Sequence, residues 1–197
     1  MIYLVLVGPW AFLLSVITLG WILLHIQFGD WARSWILERS GETKWDVHQI
    51  RVVIPARNEA RNIGPCLSSL TQVVDAGALE VLVIDDGSED DTAEVASTFL
   101  NLLPGLRVLS GEPRPSGWSG KAWACHQGSL NCEREWLCFL DADVRLHSGT
   151  LPSALVVAKS EGLDLLSLFG TWELGSFWER LLIPAVGWFI RGAIQID

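Results

Sequence analysis

The spacing of hydrophobic positions divides the chain into three regimes. From Ile2 to Gly29 no Asp, Glu, Lys or Arg interrupts a sequence rich in Leu, Val and Ile, a length beyond the roughly 20 apolar residues that cross a bilayer as a helix. A cleaved signal peptide would carry a basic leader, a shorter apolar core and a small-residue cleavage site, none of which is present. The pattern predicts a retained transmembrane anchor over residues 1–29 and a Trp-rich juxtamembrane segment over residues 30–49, with Trp31 and Trp35 at interface depth. Arg33, Arg39, Lys44 and Arg51 follow the span, so the positive-inside rule places the rest of the chain on the cytoplasmic face of the inner membrane, single-pass.

In the second regime, from Ile50, short continuous apolar runs alternate with stretches of helical spacing. Ile50, Val52, Val53 and Ile54 predict a buried strand closed by Pro55, and Ile63, Leu67, Leu70 and Val74 place one face of a helix within Asn58 to Val74. Val81 to Ile84 predict a second strand, after which Ser88 is suited to cap a helix reaching Pro104-Gly105. Leu106 to Leu109 predict a third strand, Ser110 to Gly120 a Gly/Pro/Ser loop, Lys121 to Leu130 a helix, and Trp136 to Leu140 a fourth strand. Thr150 to Ser160 reads as a helix with Pro152 in its first turn, and Leu163 to Phe169 as a fifth strand. Apolar strands alternating with amphipathic helices imply an α/β fold with a mainly parallel sheet covered on both faces.

The third regime, residues 176–197, contains Leu181 to Ile190, which is apolar but too short to span; it predicts an interfacial segment of an acceptor region cut short at Asp197.

Composition narrows the function. A formal net charge of −9 and the absence of any basic run exclude a nucleic-acid surface. The four cysteines lack C-x-x-C spacing and read as reduced thiols.

The candidate chemistry lies at strand ends. Asp141 and Asp143, one residue apart where the fourth strand stops, can share a divalent cation such as Mg²⁺ or Mn²⁺, which takes oxygen ligands and leaves positions for phosphates. Asp85-Asp86-Gly87 can accept hydrogen bonds from a base or ribose, with glycine permitting close approach. Ser116-Gly117-Trp118-Ser119-Gly120-Lys121 delivers a lysine at a helix start, where backbone N–H groups also favour anions. It is not a P-loop, which needs Gly where Pro115 stands and Ser or Thr where Ala122 stands. Each motif also has a purely structural use: the acids as turn starters, Ser88 and Asp91 as caps, Lys121 as a solvated loop cation, His126 as a surface histidine. In parallel α/β folds, ligands bind outside the carboxyl ends of strands, so Pro55 to Glu59, Asp85 to Gly87 and Asp141 to Asp143 converge on one edge.

Taken together, V-V-I-P-A-R-N-E (Val52 to Glu59), V-L-V-I-D-D-G-S-E-D-D-T (Val81 to Thr92), G-W-S-G-K-A-W-A (Gly117 to Ala124) and F-L-D-A-D (Phe139 to Asp143) resemble a family 2 glycosyltransferase of GT-A fold. The third motif, the anchor and S-F-W-E-R-L-L-I-P (Ser176 to Pro184) are most similar to the hopanoid-biosynthesis-associated branch. The resemblance implies a GT-A donor-binding domain over residues 50–175. In it Pro55, Ala56, Arg57 and Glu59 line the nucleotide pocket, Asp86 faces the base, Lys121 sits by the diphosphate, Asp141 approaches the ribose, and Asp143, with Asp141, holds the metal. It further implies a nucleotide-diphosphate sugar, a UDP-sugar first, as donor and a membrane lipid or lipid-linked molecule as acceptor. The family's general base lies on a later segment; Asp164, Glu173, Glu179 and Asp197 are available, but none stands in an acceptor-site motif. The alternative expectation is a catalytically incomplete fragment that binds nucleotide sugar and metal without turnover.

Overall fold

The computed structural model describes residues 12–20, 22–23, 49–73 and 79–168, and in the C-terminal region 170–171, 173–180, 182–183 and 186. The chain divides into two units, one of Glu38–Leu168 and one of Met1–Leu37 with Phe169–Asp197.

The first unit carries the sheet. Its elements are β1 (Ile50–Ala56), a helix at Ile63–Leu70, β2 (Glu80–Asp85), a helix at Thr92–Ser97, β3 (Leu106–Ser110), a helix at Gly120–Ser129, β4 (Trp136–Phe139) and a helix at Thr150–Glu161. With α1 denoting helical residues 12–20 of the other unit, these four helices are α2, α3, α4 and α5. All strand pairs are parallel, in the order β3-β2-β1-β4. The α/β class and parallel sheet expected from the pattern are therefore what the chain adopts.

The two sheet faces follow from strand alternation. Val52, Ile54, Ala56, Val81 and Val83 pack in one core with Ile63, Cys66, Leu67 and Leu70 of α2, Ala96 of α3, and Leu151 and Leu155 of α5. Val53, Leu82 and Ile84 point the other way, against Ala124 of α4. That helix lies unusually close: a Cβ on Gly128 would fall 2.2 Å from the Val53 Cγ1 atom, and Val53 is fully buried.

Arg51 fastens the C-terminal end of α4. Its Nη2 donates to Glu80 Oε1 at 2.8 Å and to the Asn131 carbonyl at 3.2 Å, and Nη1 donates to the Leu130 carbonyl at 2.9 Å. Arg134 Nε reaches the other Glu80 oxygen at 2.8 Å. Partial burial alone would raise the Glu80 pKa, but hydrogen bonds from Arg51 and Arg134 outweigh it and hold the carboxyl below its ordinary value.

Several expected boundaries move. The expected Asn58 to Val74 helix is regular only over Ile63–Leu70, because Asn58 adopts φ 55° and the chain first turns through residues 60–62; Val74 lies outside the described residues. The next helix begins at Thr92, not after Ser88, and is regular only to Ser97. Leu163 to Leu168 do not form the expected fifth strand: Gly162 ends α5 in the left-handed region, and the segment finds no strand to pair with among the described residues. Phe169 lies outside them.

In the other unit α1 exposes Phe12, Leu14, Ile17 and Leu19. Among the described residues no helix is long and apolar enough to cross a membrane. Most of the remaining residues of the expected anchor, and those of the juxtamembrane segment up to residue 48, lie outside the described residues.

Candidate functional site

The ladder between β1 and β4 ends where the site begins. Leu140 N donates to the Val53 carbonyl at 3.0 Å, and Pro55 has no N–H for a further rung. The chain after β4 therefore leaves the sheet into a turn closed by Val144 N donating to the Asp141 carbonyl at 3.0 Å. Ala142 is buried in the core while Asp141 and Asp143 on either side of it are exposed. Two residues of α2 support this turn from below: Cys66 Sγ lies 3.8 Å from the Asp141 carbonyl, and Ser69 Oγ accepts from Leu146 N at 3.0 Å.

The loops after β1 and β2 are tied together. Asn58 N donates to Ser88 Oγ at 2.9 Å, Glu89 N to Asn58 Oδ1 at 2.8 Å, and Glu59 N to Thr92 Oγ1 at 2.8 Å. Asp90 accepts from Ala60 N at 3.1 Å and from Thr92 N and Oγ1, which hold its carboxyl below the ordinary value. Ser88 is thus a tie between loops rather than a helix cap. Asp91, at the N-cap of α3, makes no side-chain cap bond.

These loops and the start of α4 enclose an open cavity of about 420 Å³. All eight residues singled out from the sequence line it: Pro55, Ala56, Arg57 and Glu59 from the end of β1 and its loop, Asp86 after β2, Lys121 on α4, and Asp141 and Asp143 after β4. Ser119 caps α4 by accepting from Ala122 N at 3.3 Å. Asp86 reaches across so closely that a Cβ on Gly120 would lie 2.3 Å from its Oδ2 atom. A side chain there would have to displace the Asp86 carboxylate. Sequence reasoning missed Gly120 as a lining residue, and also Arg114; the signal for the latter was a lone cation between Pro113 and Pro115 in a loop otherwise read only for its lysine. His126 does not line the cavity. It forms a ring cluster with Trp118 and Trp123, with centroids 5.1 to 5.3 Å apart.

The charges are mostly paired. Lys121 Nζ sits 2.6 Å from Asp141 Oδ1, a hydrogen bond that raises the lysine pKa. Arg57 Nη1 lies 3.7 Å from Asp86 Oδ2, and Glu59 Oε2 accepts from Asn62 Nδ2 at 2.7 Å. Among the described residues nothing hydrogen-bonds or pairs with the Asp143 carboxylate. Beneath it the Cys66 thiol is pushed up to about 12, by burial first and then by Asp143 and Asp141. A thiol so far from ionising offers no thiolate, so the donors presented to the cavity are carboxylate oxygens. This set fits a hard divalent cation: one unpaired carboxylate, and a second that already holds a cationic group. Among the described residues no three His, Cys, Asp or Glu side chains gather into a metal cage.

The four cysteines are free thiols. Of the acids held in reserve as a general base, Glu179 is used locally. Its Oε2 accepts from Gly175 N and Ser176 N at 2.8 Å each, while Ser176 Oγ accepts from Glu179 N at 3.2 Å, a capping box at the helical turn 177–180. Asp164 stands in a bend, and Asp197 lies outside the described residues.

The cavity loops, α4 and all of the sheet but Ile50 lie within the span that a family model covers. The family model described as "Glycosyl transferase family 2" matches residues 51–179, more than half of the chain. The chain belongs to glycosyl transferase family 2. Its relatives include 4,4'-diaponeurosporenoate glycosyltransferase of Staphylococcus haemolyticus, 36% identical over 135 residues that make up 66% of this chain and 33% of that protein. Glycosyltransferase AglE of Haloferax volcanii is 32% identical over 118 residues, 59% of this chain and 38% of that one. Among solved structures, residues 1–349 of S. aureus TarS in complex with UDP superpose with a TM-score of 0.51 at 26% identity, covering 65% of this chain and 38% of that one. The chain thus spans about a third of the length of these proteins.

Proposed function

We propose that this chain is a membrane-anchored glycosyltransferase that moves a sugar from a nucleoside-diphosphate sugar, a UDP-sugar first, to a lipid-linked acceptor with help from a divalent cation. The observation that carries the reading is the convergence of the eight cavity residues on one sheet edge, with the Asp143 carboxylate left unpaired among the described residues. Solved complexes of TarS with UDP and with UDP-GlcNAc support the donor class.

In this reading Pro55, Ala56, Arg57 and Glu59 bound the nucleotide, Asp86 accepts from the base, Asp141 approaches the ribose and Lys121 faces the diphosphate. Asp143, with Asp141, would hold the cation. When bound, Mg²⁺ or Mn²⁺ supplies Lewis-acid neutralisation of the charge on the leaving diphosphate. The bond between the sugar's anomeric carbon and the diphosphate oxygen breaks, its electron pair leaving with the diphosphate. A new bond forms to the acceptor oxygen, whose proton passes to a base. No residue of this chain is assigned that base. Lys121 must turn from Asp141 toward phosphate, an exchange eased by the exposure of both partners.

The anchor of residues 1–29, the cytoplasmic orientation and the lipid acceptor rest on the uncharged N-terminal sequence and its flanking cations. The acceptor class is also supported by the similarity to the 4,4'-diaponeurosporenoate glycosyltransferase of S. haemolyticus and by the likeness of G-W-S-G-K-A-W-A to the hopanoid-associated branch. Titration calorimetry of the full chain with UDP, with and without Mn²⁺, followed by a transfer assay of radiolabelled UDP-sugars to membrane lipid extracts, tests the reading. We expect Mn²⁺-dependent UDP binding, at least ten-fold weakened in Asp143→Asn, and label in the lipid phase. Binding without transfer would favour an incomplete donor-binding fragment; equal affinity in wild type and Asp143→Asn would remove the metal assignment.

A further inference from the structure

Arg114 is absent from every role assigned so far, yet it lines the same cavity as Lys121 and Asp143. The cavity wall carries four carboxylates, Glu59, Asp86, Asp141 and Asp143, and three cationic side chains, Arg57, Arg114 and Lys121. Two of those cations are engaged, Arg57 by Asp86 and Lys121 by Asp141. Among the described residues Arg114 has no hydrogen-bond or ion-pair partner, so its guanidinium is the cationic group on the wall with charge and donors to spare for an anion.

Its loop is held in place. Gly111 N donates to the Asp85 carbonyl at 2.7 Å, Glu112 N to Gln127 Oε1 at 2.7 Å, and Trp123 Nε1 to the Glu112 carbonyl at 3.0 Å. Trp118 N closes the far side on the Pro115 carbonyl at 3.4 Å. Pro113 and Pro115 fix their own φ angles, and Pro115 keeps Arg114 extended. A cation carried on a strapped, proline-stiffened loop loses little freedom when it binds, the condition under which a forked guanidinium discriminates best.

We infer that Arg114 grips the diphosphate of the donor and of the released nucleoside diphosphate, and so is a positioning residue for the leaving group. This rests on the nucleotide-sugar reading above. A guanidinium takes two phosphate oxygens in parallel, which an ammonium cannot do. A grip on the phosphate that only the diphosphate carries separates nucleoside diphosphates from monophosphates.

Calorimetric titrations of the full chain with UDP and with UMP, in the presence of Mn²⁺, test it on wild type, Arg114→Gln, Arg114→Lys and the control Arg107→Gln, whose site is an exposed position on β3. The expected result is a wild-type preference for UDP over UMP that falls about ten-fold in Arg114→Gln, is only partly restored by Arg114→Lys, and is unchanged in Arg107→Gln. An unchanged preference in a folded Arg114→Gln protein that still binds UDP overturns the inference alone. Wild type that binds neither nucleotide overturns it together with the donor reading.

Discussion

At the scale of single residues the acids of the first unit divide by what they already hold. Asp90 is spent on structure, accepting from Ala60 N and from Thr92 N and Oγ1, so it ties the loop after β1 to the start of α3. Asp91 beside it makes no cap bond. Asp90→Ala is therefore expected to lower the thermal midpoint, with Asp91→Ala close to wild type, in parallel calorimetric scans; the reverse order would refute the assignment. Asp143 likewise has no side-chain partner among the described residues, but unlike Asp91 it lines the cavity, and that is why loss of its charge is expected to weaken donor binding rather than stability. The sequence could not make this distinction. D-D-T and D-A-D offer the same carboxylates, and only the positions of Thr92, Ala60 and Lys121 separate an acid in use from one held open.

At the scale of elements the decisive contact is α4 on β1 and β2. The helix delivers Gly120 and Lys121 to the cavity at one end, while at the other Arg51 and Arg134 on Glu80 fix the chain that leaves it. Glu80 has a depressed pKa, so its contribution is fully present above the ordinary value of 4.5 and is lost as the pH falls through the lower folded value. Glu80→Gln is expected to cost about 2 kcal/mol at neutral pH, the range for hydrogen bonds to charged groups, and to flatten the acid limb of stability. Urea melts at pH 7 and at low pH measure both, and a variant with an undiminished acid limb would show that other carboxylates govern it. Continuous apolar runs and helical spacing set the order of these elements along the chain. They gave the ends less well: Asn58 at positive φ delays α2, and Gly162 sends the chain away from the sheet, both set by loop geometry that periodicity does not record.

At the scale of the whole molecule the proposal joins a donor site to a membrane. If the uncharged N-terminal stretch anchors the chain, the full protein should stay in the membrane pellet after an alkaline carbonate wash, and a chain lacking residues 1–29 should move largely to the supernatant. Retention of the shortened chain would shift the attachment to another segment.

The sequence alone determined the class of fold, the order of the strands' ends and the identity of eight cavity residues, because buried parallel strands are written as apolar runs and their carboxyl ends are where polar motifs must gather. The tertiary structure decided which charges are already paired, that Ser88 and Asp90 tie loops together, and that Leu163 to Leu168 do not join the sheet. It also brought Arg114, a residue with no motif around it, into the lining of the same cavity as Lys121 and Asp143. The physical reason is that pairing depends on distances of a few ångströms between segments far apart in the chain, and no local pattern of residues encodes them.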